Sequence, residues 1–285
     1  MTFEYWFLFP VCILIATMAM ATGIEGSTFY TPLFILALGL PLDIAIVTSV
    51  ITVTFGFSSG LYAYIRRRLI DYRLGGALLV STIPIAQIGV WLGGRVDPGS
   101  LKVLLGVLLF ALAIIFLHSP KPLHSLPTRN EILPEKENRK VQPRLVTADG
   151  ETIRYAPPDT REGRIIAGMG ALFIGMISTG QGEFNNYFLM KRSQLPGKVA
   201  VATSVFIVAL TAMTVATTHI IKIATINVDQ LRTIMSLAMF TVPGVLIGGQ
   251  IGPMVACRLP HQALTRGIGA LFLIVGSLLL YQAFF

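Results

Sequence analysis

Cysteine is nearly absent from this chain. Cys12 sits in an apolar run and Cys257 beside a basic loop, and two such thiols build no disulfide framework. Charge is scarce as well: Asp, Glu, Lys and Arg make up 13% of the 285 residues, against about 25% in an ordinary soluble domain. Hydrophobic residues reach 54% and the mean hydropathy is +0.73, which leaves room only for an integral membrane protein. No cleavable signal is expected at the start of this sequence. Glu4 stands where a cleavable signal carries Lys or Arg, and the apolar stretch behind it runs on too far. His118, His124, His219 and His261 are scattered without ligand spacing, so no metal and no other cofactor is expected. In such a chain the net charge of +8 is first a topology signal, and no nucleic-acid partner is expected.

What is present in excess is apolar length. Residues 4–40 form one run, interrupted by Thr22-Gly23-Ile24-Glu25-Gly26-Ser27-Thr28. Residues 163–195 form another, interrupted by Thr179-Gly180-Gln181-Gly182-Glu183 ahead of Asn185 and Asn186. Unbroken helices of that length would measure roughly 50–55 Å, against a hydrocarbon core of about 30 Å, so each run must break. Six ordinary spans are expected near 43–65, 74–96, 99–117, 197–220, 229–254 and 262–284. Between 118 and 162 lies the one long polar segment, rich in proline and read as an irregular linker. Within it, Leu145 to Ile153 alternates around Asp149-Gly150 and suits a small β-hairpin. The organisation is thus a first membrane repeat (1–117), the linker (118–162) and a second membrane repeat (163–285).

The repeats are visible in the residues. Pro41 to Ser49 reads P-L-D-I-A-I-V-T-S, and Pro196 to Ser204 reads P-G-K-V-A-V-A-T-S. Thr82-Ile83-Pro84 with Gly89 and Gly93 matches Thr241-Val242-Pro243 with Gly248 and Gly252. Charge decides how the broken runs are threaded. If each crossed the bilayer completely, Lys and Arg outside the linker would divide almost evenly between the two faces. If each is a re-entrant hairpin, one face keeps only Arg95, Lys102, Lys222 and Arg232, and the other takes the rest with the whole linker. That is a positive-inside bias. The expected fold is therefore an all-α polytopic membrane protein of two inverted repeats, each a broken hairpin plus three transmembrane helices. The linker is then cytoplasmic, both termini are outside, and the hairpin tips meet near the centre.

Of the 14 carboxylates, only Glu25 and Glu183 lie inside apolar runs, one at each break. An ionised carboxylate is costly there. Three roles stay open: each caps the half-helix that follows, the two form a proton-coupling or gating pair, or they bind a cation directly. Half-helices are expected to begin near Thr28 and near Asn185, with N–H groups free to hold an anion. Gly23, Gly26, Gly180 and Gly182 would let ligand oxygens approach the backbone. Ser27, Thr28, Gln181, Asn185 and Asn186 add side-chain donors. Thr48-Ser49 and Thr203-Ser204, at equivalent places in the next spans, either complete this shell or pack helices. Gly89/Gly93 and Gly248/Gly252 read as helix contacts, Pro84 and Pro243 as kinks, and Arg66-Arg67-Arg68 as an interfacial anchor.

Gly56-Phe57-Ser58-Ser59-Gly60 fits the G-x-S-x-G string of serine hydrolases, but a membrane span lacks the strand-turn-helix setting that motif needs. An anion channel would use the same helix ends with an open path. The order of Gly23-Ile24-Glu25-Gly26-Ser27…Pro32-Leu33, Ala45…Thr48-Ser49 and Ile70-Asp71-Tyr72-Arg73, with its counterpart in the second half, resembles the TauE/SafE family of sulfite exporters. The resemblance covers essentially the whole chain outside 118–162. It implies a bacterial inner-membrane secondary transporter, not an enzyme, for sulfite or C2 sulfonates such as sulfoacetate, with a small anion and the lipid bilayer as partners. Where the family carries a Gly-x-Gly-Gly-Gly loop, this chain has Gly-Ile-Glu-Gly-Ser and Gly-Gln-Gly-Glu-Phe, which points to a larger or differently charged ligand.

Overall fold

The computed structural model describes residues 5–117, 144–148, 150, 152–155, 158–226, 228–255 and 261–284. The proline-rich stretch 118–143 and Cys257 lie outside the described residues. The described residues are mostly helical. In the first half come α1 (Leu8–Thr22), α2 (Ser27–Leu36), α3 (Leu42–Arg66), α4 (Tyr72–Gly93) and α5 (Pro98–Leu117). The second half has α6 (Thr160–Ile177), α7 (Gln181–Asn186) with a π-helical continuation (Tyr187–Arg192), α8 (Gly197–Ile226), α9 (Val228–Val255) and α10 (His261–Phe284). Among the described residues α3, α4, α5, α8 and α9 are long and apolar enough to cross a membrane. With α10 they coincide with the six spans expected from hydropathy.

Both long runs break as their lengths demand. Gly23 ends α1 in the left-handed conformation (φ 72°), its N–H on the Ala19 carbonyl at 2.8 Å. Ser178 does the same for α6 (φ 58°), and Gly180 adds a second left-handed residue (φ 108°). The second reversal is therefore complete within three residues. The following half-helix starts at Gln181, not near Asn185 as expected, and Gln181, Gly182 and Glu183 belong to its first turn.

Close contacts between helices reveal their directions. Gly244, Gly248 and Gly252 of α9 lie against Phe9, Ile13 and Met20 of α1 in that order, so α1 and α9 are parallel. Gly56 of α3 meets Val245, Ser59 donates to the Leu246 carbonyl at 2.7 Å and Arg67 to the Pro253 carbonyl at 2.8 Å, so α3 runs the same way. Likewise Gly163, Gly168 and Gly175 of α6 follow Leu78, Ile85 and Val90 of α4. Gly75, Thr82 and Gln87 of α4 follow Thr203, Thr211 and Thr218 of α8. The α3–α4 turn meets both the start of α8, through Thr203, and the end of α9, through Pro253, so the two parallel sets run in opposite senses. Met20 lies beside Tyr64, near the far end of α3, so the chain must turn back at 23–26 to reach Leu42. The small-residue stripes act as helix contacts, since backbones approach where no side chain intervenes.

Local capping fits these elements. Asp71 caps α4 through Leu74 N–H at 3.0 Å, and Asp159 caps α6 through Arg161 N–H at 2.9 Å. Strands β1 (Arg144–Val146) and β2 (Thr152–Arg154) pair antiparallel, with Leu145 opposite Ile153. This hairpin sits on the α3–α4 turn: Ala148 N–H reaches the Arg67 carbonyl at 3.1 Å, and Tyr155 donates to Asp71 at 2.6 Å.

Candidate functional site

The two breaks meet inside the bundle, and their polar groups bond across the two halves. The Glu25 carboxylate accepts from the N–H groups of Gln181 at 2.9 Å and Gly182 at 3.4 Å, in the first turn of α7. Glu25 thus caps the half-helix of the opposite half rather than the one that follows it. The first N–H groups of a helix lack internal acceptors and carry partial positive charge, which explains the pairing. Thr28 donates to Glu183 at 2.6 Å and shares a second contact with Thr179 at 2.6 Å. Asn186 Nδ2 donates to the Gly23 carbonyl. Gln181 Nε2 donates to Thr211 on α8 at 3.1 Å, and Thr211 contacts Thr82 on α4 at 3.3 Å.

The two glutamates are not equivalent. The offset of 155 that relates Thr28 to Glu183 also carries Gly23 to Ser178, Pro41 to Pro196, and Thr48-Ser49 to Thr203-Ser204. On that offset Glu25 corresponds to Gly180. Thr28 and Glu183 are counterparts, and they bond directly to each other.

Every residue named from the sequence is buried here, but they do different things. The space beside the glycines is taken by protein. A Cβ on Gly182 would stand 2.8 Å from the Glu25 nitrogen, and one on Gly23 2.9 Å from Asn186 Nδ2. Gly26 faces the Tyr30 ring, and Gly180 faces Phe173 and Leu108. Thr203 is committed outside the cluster, accepting from the Asp71 N–H at 3.1 Å. Ser27 lies beside the Glu25 carboxylate, short of hydrogen-bond geometry. Among the described residues Thr48, Ser49 and Ser204 find no partner for their buried hydroxyls, nor does Asn185 for either end of its amide. One oxygen each of Glu25, Glu183, Gln181 and Asn186 is also unpaired. Buried polar groups are nearly always satisfied, so a cluster of such atoms marks a place built to meet something polar. The sequence reading missed Thr179, Thr211, Thr82 and Ser178. Thr211 was findable, two helical turns beyond Ser204 on one face of α8.

The hydrolase string has another explanation. Gly56 and Gly60 pack against α9 and α1, Ser59 donates to the Leu246 carbonyl at 2.7 Å, and Ser58 is exposed on a regular helix. His219 lies on α8, and no hydrogen bond joins it to Ser58 among the described residues.

Broken helices that meet in a buried polar cluster, inside a bundle of long apolar spans, are the build of a multi-pass membrane transporter. The chain belongs to the TauE/SafE sulfite exporter family, whose pattern matches residues 8–279. It is also similar to a probable membrane transporter protein, YunE, of Bacillus subtilis (strain 168), at 25% identity over 244 residues, 85% of this chain and 82% of the relative. No solved structure matches the chain significantly.

Proposed function

We propose that this transporter is a secondary carrier exporting a small organosulfur anion, sulfite or a C2 sulfonate such as sulfoacetate, across the bacterial inner membrane. The observation that carries this reading is the Glu25 carboxylate on the amides of Gln181 and Gly182. That contact makes the cluster a place where an oxyanion is already held by backbone donors, with unpaired hydroxyls and amides nearby. Sulfite and sulfonate oxygens ask for the same donors. A substrate anion reaching Gln181 and Gly182 competes with Glu25, whose proton uptake frees the amides and lowers the repulsion between two negative groups. Glu183, held by Thr28 and unpaired at its other oxygen, is the second proton site. Substrate and proton occupancy are coupled in this scheme, and the halves rock around the cluster.

The opposite senses of α3 and α8 support reading the halves as inverted repeats, with residues 118–162 as their cytoplasmic tether and both termini outside. The substrate-contacting set is Glu25, Ser27, Thr28, Thr48, Ser49, the Gln181 and Gly182 amides, Glu183, Asn185, Asn186 and Ser204, with Thr203 supporting from the Asp71 side and Gly23, Gly26 and Gly180 permitting the close packing around it. Reconstituted protein tests this. Thermal stabilisation by sulfite or sulfoacetate, and counterflow of labelled substrate, are expected. Glu25→Gln and Glu183→Gln should abolish the pH dependence of transport while sparing binding. An unchanged pH response in both variants removes the coupling role. Failure of sulfite, taurine, sulfoacetate and sulfate to stabilise the protein removes the substrate class.

A further inference from the structure

Although they are consecutive, α8 and α9 splay, and with α3 they enclose a groove of about 850 Å³. Its wall is apolar, with Ile51 and Phe55 from α3, Ile223 from α8, and Met235 and Met239 from α9. One charged residue lines it, Arg232, in the early turns of α9. We propose that this groove holds one anionic phospholipid, its acyl chains along the apolar wall and its phosphate on the Arg232 guanidinium.

Three observations select that occupant. The lining runs along α9 from Leu231 to Pro243, about 18 Å at about 1.5 Å per residue, close to the ~15 Å hydrocarbon depth of one leaflet. Arg232 stands at the end of the span Gln230–Met254, where headgroups lie, and is exposed. Among the described residues no carboxylate is within ion-pair distance of it; Asp43, at the same end of the bundle, accepts from Gln230 instead at 3.2 Å. A guanidinium that no described carboxylate pairs, at the mouth of an acyl-sized groove, suits a phosphate whose charge no headgroup amine cancels. The inference rests on membrane placement alone and stands or falls apart from the transported substrate.

Native mass spectrometry of the full chain, loaded with either phosphatidylglycerol or phosphatidylcholine, tests it. Wild type should retain one phosphatidylglycerol under activation that strips phosphatidylcholine. Arg232→Gln should lower that retention about fivefold, the effect of one basic residue near a headgroup, and Arg232→Lys should largely restore it. Arg95→Gln, which alters an arginine stacked on Trp91 outside the groove, should change nothing. Met239→Trp should displace the lipid by filling the wall. Equal retention of the two lipids by wild type overturns the proposal without recourse to any variant. Equal phosphatidylglycerol retention by wild type and Arg232→Gln overturns it too. A lipid-free dimer that Met239→Trp dissociates would make the groove an interface between copies instead.

Discussion

Glu25→Ala should be far more damaging to stability than Glu25→Gln, and the difference follows from what the carboxylate holds. In the alanine variant the N–H groups of Gln181 and Gly182 lose their acceptor. Water does not reach a buried site of this kind freely, so the two donors together cost about 2–6 kcal/mol at about 1–3 kcal/mol each. Glutamine keeps an oxygen at the same reach. It loses charge assistance, about 1 kcal/mol, and gains relief from burying a charge, so its net effect should lie within about 1 kcal/mol of wild type. The assay is the unfolding free energy of purified protein in mixed micelles titrated with a denaturing detergent, with the signal from the native tryptophans. Alanine and glutamine variants of equal stability would refute the reasoning, because the amide contacts would then contribute nothing. A glutamine variant as unstable as alanine would show that the negative charge, not the acceptor, is what α7 requires.

Three further substitutions have definite expected outcomes. Gly182→Ala should destabilise by about 1–3 kcal/mol despite better helix propensity, since its Cβ would lie 2.8 Å from the Glu25 nitrogen and 3.1 Å from the Glu25 Cβ. Gly76→Ala, with nothing within 4 Å, should stabilise by about 0.5–1 kcal/mol in the same detergent titration. Tyr155 has its hydroxyl pKa raised above the ordinary tyrosine range, first by burial and then by the bond to Asp71. A raised folded-state value means that this contribution is complete below the unfolded value of about 10 and is lost as pH climbs toward the folded one. Tyr155→Phe should therefore cost about 0.5–1.5 kcal/mol at neutral pH and flatten the fall in melting temperature as pH rises above about 10.

Much of this protein could be read from local chemistry. Five of the six expected spans are long, apolar helices and the sixth falls on α10, because length and apolar content are properties of a stretch of chain and the bilayer sets the length required. The breaks at Gly23 and Ser178–Gly180 followed from the same arithmetic, since runs too long for the membrane must fail where Gly and polar residues gather. The glycine stripes on α4 and α9 were also recognisable, because the spacing of four places them on one helix face. The family resemblance rested on the order of Thr48-Ser49, Thr203-Ser204 and the two breaks. Of the roles left open for the glutamates, capping of the half-helix that follows does not hold for Glu25, because side-chain partners are a matter of packing. Nothing in the string says that Glu25 reaches the amides of Gln181 and Gly182, 156 and 157 positions away. The start of the second half-helix at Gln181 depended on two left-handed residues, Ser178 and Gly180, one of them a serine with no sequence signature for that conformation. Thr203 and Ser204, adjacent in a repeated motif, were separated in use by the helix itself: neighbours on a helix point about 100° apart, so one hydroxyl meets the α3–α4 turn and the other stays in the interior. Sequence determined which segments are helical and where they must fail; the tertiary structure alone decided which donors and acceptors meet, because those meetings depend on how distant helices are set against one another.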